Sequence, residues 1–170
     1  GRVFIQKQKG REPYDWIILD AFKSGSIPYH LKTCEFYEEI HAVLSSGGVV
    51  GSNLYGKGNN LKPRDIQTFL SVFSQIYCFE DDDQVATVLI ATDGERLSEQ
   101  EICDRALTSP KLKGPFSMED IAKAYRPGKF MEDEVLTFMD HFSGNGFLHD
   151  VECENRQSPK DRLYPIVNVY

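Results

Sequence analysis

A chain of 170 residues, 41% hydrophobic and 26% charged, is long enough to bury a core and is most simply one domain, or one domain with an appendage. Its net charge of −7, with both signs scattered along the sequence, offers no basic face for nucleic acid or an anionic membrane surface, and suits a cationic substrate only in a general way. No apolar run approaches the ~20 residues that span a bilayer and no signal-peptide pattern opens the chain, so it reads as soluble and cytoplasmic.

In chain order, GRVFIQKQ predicts a short helix, stopped by KGREP. Residues 14–19, YDWIIL, are mostly apolar on both alternating faces, as in a parallel strand covered by helices on both sides of its sheet. This run ends abruptly in Asp20. An amphipathic helix is predicted from Cys34 to Leu44, with Phe36, Tyr37, Ile40, Val43 and Leu44 on one stripe, Thr33 as N-cap and SSGG as its stop. GVVGSNLY (48–55) is the next strand. Pro63 then opens a helix whose Ile66, Phe69, Leu70 and Phe73 keep helical spacing. Residues 75–79 and 84–91 read as two last strands joined by the acidic turn EDDD, an antiparallel hairpin at the sheet edge. Strand, helix, strand, helix, strand, strand is the α/β order.

After Asp93 the texture changes, and the chain divides into residues 1–96 and a helical extension over 97–170. LSEQEICDRALTS carries the Ser98–Glu101 capping-box spacing; FSMEDIAKAY and FMEDEVLTFMDHF also read as helices, and the β-branched tail as a terminal strand. Cys34, Cys78, Cys103 and Cys153 lie far apart without CxxC spacing and read as free thiols in a reducing compartment. Asp140, His141, His149 and Asp150 are given no metal role, because the SGNG turn breaks any helical pairing of the two histidines. EDDD at 80–83 reads as a solvated turn of like charges, and His30 as an ordinary loop histidine.

The order strand, DAF, polar loop with Pro, amphipathic helix, GG, strand resembles the spermidine synthase-like (aminopropyltransferase) branch of the class I S-adenosylmethionine-dependent methyltransferase superfamily. The likeness rests on YDWIILDAFKSGSIP, its spacing to EFYEEIHAVLSSGGVV, and the strand pair ending in VATVLIATD, and covers residues 1 to about 93. It implies the C-terminal portion of a Rossmann-like sheet: parallel strands with an antiparallel edge hairpin, plus the helical extension. In that family an Asp-Gly pair after the third strand approaches the adenine, and Gly1 looks like the Gly of that pair. The Gly-rich nucleoside loop and the acidic ribose ligand would then lie upstream, making these residues part of a longer protein or a truncated product. A homodimer is also implied.

In open α/β sheets, ligands bind outside the carboxyl ends of the strands, which is where Asp20 falls. By resemblance Asp20 is the catalytic anchor, Gly1, Asp20, Ala21 and Pro28 face the donor, and no metal is needed. The donor is S-adenosylmethionine or its decarboxylated form. Tyr29 is implied beside the same pocket, while Ser52, Asn53 and Tyr55 end the neighbouring strand as candidate substrate contacts. Aminopropyl transfer is attack by a primary amine on the carbon next to a sulfonium, and such an amine, with a pKa near the ~10.4 of Lys, arrives protonated. A carboxylate must bind or deprotonate it. The family's base is a second Asp three residues on, where this chain has Lys23; a Lys ~4 Å from a cationic diamine costs roughly 4 kcal/mol at an effective dielectric of 20. Three functions therefore compete: a transferase joining an adenosyl nucleoside and an amine, a non-catalytic binding or assembly module, and a piece without independent function.

Overall fold

The computed structural model describes residues 1–21, 27–55, 61–83, 85–108, 117–127, 137 and 139–140, with the backbone alone at Tyr55. Its elements are α1 (Arg2–Gln8), β1 (Tyr14–Leu19), a 3-10 turn (Tyr29–Leu31), α2 (Cys34–His41), β2 (Leu44–Tyr55), α3 (Lys62–Leu70), β3 (Gln75–Glu80), β4 (Ala86–Thr92), α4 (Glu99–Thr108) and α5 (Met118–Lys123). The sheet order is β1-β2-β4-β3. β1 and β2 are parallel, and β4 runs antiparallel between β2 and β3. The expected hairpin is therefore present, but its second strand turns inward and only β3 is at the rim.

The helix stripes explain one layer of the fold. Phe36, Tyr37 and Ile40 of α2 and Ile66 and Phe69 of α3 pack on Val50, Leu54, Cys78, Leu89 and Ala91 of the sheet. Tyr37 and Phe69 meet with ring centroids 4.3 Å apart, and Phe69 continues onto Phe73 at 5.7 Å. Burying each such side chain contributes about 1.5–3 kcal/mol. Thr33 caps α2 by accepting the Phe36 amide at 3.3 Å, as the sequence predicts. The helix is shorter than expected, because Leu44 already pairs with Tyr14 in the sheet.

SSGG is not the helix stop; it is an irregular start to β2. Between the pairs Tyr14↔Leu44 and Trp16↔Val49 the register slips, and Gly47 takes φ +73° to absorb the extra residues. A Cβ on Gly48 would lie 2.8 Å from Leu44 Cγ and 2.9 Å from the Ser45 carbonyl oxygen. Both glycines serve the strand.

The second face of the sheet differs from expectation. Trp16 and Ile18 of β1 are 74% and 73% exposed, so helices do not cover both sides of this strand among the described residues. At the far rim that face is better furnished: Tyr125 packs on Phe79 with ring centroids 5.5 Å apart. Residues 124–126 also bond to the outer edge of β3, through Glu80 N to Ala124 O at 2.8 Å and Arg126 N to Cys78 O at 2.9 Å. The capping box forms as read, with the Ser98 amide and hydroxyl both donating to Glu101. The side chains of Cys34 and Cys78 are buried in the fold. The predicted third helix of the extension, apart from residues 137, 139 and 140, and the terminal strand lie outside the described residues.

Candidate functional site

Parallel β1 and β2 bring their carboxyl ends to one rim of the sheet, and β4, antiparallel to both β2 and β3, makes β3 end there too. Leu19, the last residue of β1, packs against the core, so strand alternation turns the next residue, Asp20, to the opposite side. The pairing Leu19↔Ser52 places Asn53 alongside it, and Asn53 Nδ2 approaches Asp20 Oδ1 at 3.4 Å. That distance is longer than an ordinary N–H···O bond of about 2.7–3.2 Å, and the Asp20 carboxylate is exposed.

The same alternation separates two residues expected together. Ser52 is 2% exposed and lies on the face packed by α2 and α3, away from Asn53. Tyr55 closes β2 opposite Ala86. Ala21 is exposed beside Asp20, and Gly1 accepts the Phe4 amide at 2.9 Å as the N-cap of α1. Lys23 lies outside the described residues.

Pro28 opens the 3-10 turn, and both it and Tyr29 are half-buried. Burial pushes the Tyr29 hydroxyl above the ordinary phenol range. That hydroxyl donates to the Met139 carbonyl.

Several charged residues given no site role in the sequence frame this rim. Glu80, expected in a solvated turn, is 3% exposed; it accepts from the Thr87 hydroxyl at 2.8 Å, and Lys62 lies 3.6 Å away. Its signal was present: Ile76, Cys78 and Glu80 share one period-two face. Asp81, by contrast, does cap the turn, accepting the Val85 and Ala86 amides at 2.8 and 3.1 Å. Arg2 forks onto Glu39 and Asp140, and the paired carboxylates hold its guanidinium above its usual range, the Asp140 bond contributing most. Nothing in the local sequence joins positions 2 and 140.

The opposite rim is structural. His41 pairs with Asp93, which also accepts the Ser74 amide at 3.2 Å, joining the end of α2 to the end of β4. Although burial opposes it, the Ser74 amide and His41 hold the Asp93 carboxyl below its usual range.

No protein-family model matches the sequence. A polyamine aminopropyltransferase of Vibrio vulnificus is 41% identical over 81 residues, which is 46% of this chain and 26% of that protein. Among solved structures, human methyltransferase-like protein 13 in complex with SAH matches with TM-score 0.56 and 20% identity, covering 80% of this chain and 61% of that one. Spermidine synthase from Thermotoga maritima matches with TM-score 0.54 and 18% identity, over 72% of this chain and 43% of the other. The architecture is thus part of a Rossmann-like, class I methyltransferase fold. Within that fold the chain resembles the spermidine synthases. It spans about a quarter of the curated aminopropyltransferase it matches.

Proposed function

We propose that the chain forms the acceptor side of a transferase site that joins an S-adenosyl-type donor to a primary amine, with aminopropyl transfer as the reaction. The observation that carries this reading is the Asp20–Asn53 pair: an exposed carboxylate at the end of one parallel strand, approached by an amide from the next, at the rim where open α/β sheets bind ligands. A protonated amine drawn to Asp20 is aligned there, gives up a proton to the Asp20 carboxylate, and attacks the carbon beside the donor's sulfonium. The new C–N bond forms as the C–S bond breaks, and the thioether leaves neutral. Asn53 keeps the carboxylate turned toward the amine, while Ala21, small and exposed, leaves room for the donor. Gly1, Pro28 and Tyr29 fall on the nucleoside side in this reading. The curated relative supports the polyamine chemistry at the level of the family.

Methyl transfer is the second reading, favoured by the neighbour that holds SAH. The relatives that match give no support to a non-catalytic module. Product analysis on the complete protein separates the two chemistries. Decarboxylated S-adenosylmethionine with a primary diamine is expected to release methylthioadenosine. Release of S-adenosylhomocysteine from S-adenosylmethionine, with no methylthioadenosine from the decarboxylated donor, overturns aminopropyl transfer in favour of methyl transfer.

A further inference from the structure

Three residues from the far end of the described chain, Thr137, Met139 and Asp140, lie against the start of the fold. The Asp140 carboxylate receives two bonds from the Arg2 guanidinium, Nη1 to Oδ1 at 2.8 Å and Nη2 to Oδ2 at 2.6 Å, and a third from the Thr33 hydroxyl at 2.7 Å. Its amide donates to Glu35 Oε2 at 2.9 Å. Arg2 meanwhile grips Glu39 with its other edge, Nε to Oε2 at 2.8 Å and Nη2 to Oε1 at 2.9 Å, and reaches the His30 carbonyl at 3.1 Å. The Tyr29 hydroxyl donates to the Met139 carbonyl, and Arg64 Nη2 to the Thr137 carbonyl at 2.9 Å. The Arg2 side chain is only 14% exposed.

This is more than a surface ion pair. An isolated exposed pair is worth little, but a bidentate fork with additional hydrogen bonds fixes orientation as well as distance. The segments it ties are Gly1–Arg2 at the head of α1, the Pro28–Leu31 turn, and the first turn of α2. Two of these carry the residues that the proposed function puts on the nucleoside side, Gly1 and Pro28–Tyr29.

We infer that Asp140 is a positioning residue for nucleoside binding: through Arg2 and Thr33 it sets the spacing between Gly1 and the Pro28–Leu31 turn, so a segment distant in sequence completes the donor side of the site. The inference rests on the proposed function.

The test is Asp140→Asn in the complete protein, with methylthioadenosine, the nucleoside product of the proposed reaction, as the probe. Calorimetric affinity, urea midpoint and hydrogen exchange at the amides of residues 29–32 are compared with wild type. The clasp role predicts faster exchange at those amides and about tenfold weaker binding, because the nucleoside must then order the turn as it binds. A merely structural Asp140 lowers the midpoint and leaves affinity within threefold, which overturns the inference. Should Asp140→Asn fail to fold, Arg2→Lys keeps the charge but loses the fork, and the same threefold criterion applies. Wild-type protein that does not bind the nucleoside overturns the proposed function, and this role falls with it; wild-type binding with unaltered variants overturns this role alone.

Discussion

Asp65 and Asp20 are the same side chain put to opposite uses. Asp65 is fully buried in α3, 3.0 Å from the ammonium of Lys32, itself almost entirely enclosed. Asp20 stands exposed at the strand end, where among the described residues Asn53 makes one long approach to it. A charge taken out of water must be matched closely or it costs several kcal/mol, so the Lys32–Asp65 pair is committed to the fold. A carboxylate left in water, oriented but not saturated, remains available to a ligand. Burial and partnership, rather than residue type, separate the structural acid from the candidate chemical one.

Substitutions at the two positions should separate the same way. Asp20→Asn is expected to lower turnover by about 2–4 decades, the range for losing a positioned acid–base or electrostatic group, with the urea midpoint unchanged. Steady-state kinetics and urea melts on one preparation check both halves; full activity with a lowered midpoint would make Asp20 a mere loop cap. Lys32→Met should do the reverse, costing about 3–5 kcal/mol of stability, the usual result of removing one partner from a buried pair. Denaturant unfolding measures it, and a loss below about 1 kcal/mol would show that the pair is not committed to the fold.

Two smaller effects sharpen the contrast away from the rim. Gly48→Ala forces a Cβ within 2.9 Å of the Ser45 carbonyl oxygen, so the irregular start of β2 must shift at a cost of about 1–3 kcal/mol. Thermal melts should register this while the Asp20 end of the sheet keeps its chemistry. The smallest effect concerns Glu39, whose carboxyl is held below its usual 4.5 chiefly by the hydrogen bond from Arg2. A depressed carboxyl contributes stability that is complete above the unfolded-state value near 4.5 and is lost as pH falls through the lower folded value. Glu39→Gln should therefore flatten the acid limb of a stability–pH curve and leave the neutral region nearly unchanged. An acid limb identical to wild type would mean that Arg2 discriminates little between the charged and neutral forms.

The local pattern carried much of the fold. Strand β1, the stripes of α2 and α3, the Thr33 cap and the Ser98–Glu101 capping box were all legible, because each depends on residues within a few positions of one another. Strand alternation also contained the buried place of Glu80, which the run of acidic letters obscured.

Of the candidate site, the sequence by itself determined Asp20 at the end of a strand, since an apolar run cut off by a carboxylate marks that boundary directly. Tertiary structure decided the rest. Whether Asn53 or Ser52 meets Asp20 depends on the register between β1 and β2, and a one-residue slip would exchange them. The inward position of β4 depends on pairing energies across the whole sheet, to which no single segment testifies. The Arg2–Asp140 clasp joins residues 138 positions apart, and local periodicity cannot see such a contact, because the chain pays the entropy of closing that loop only once the intervening fold has formed.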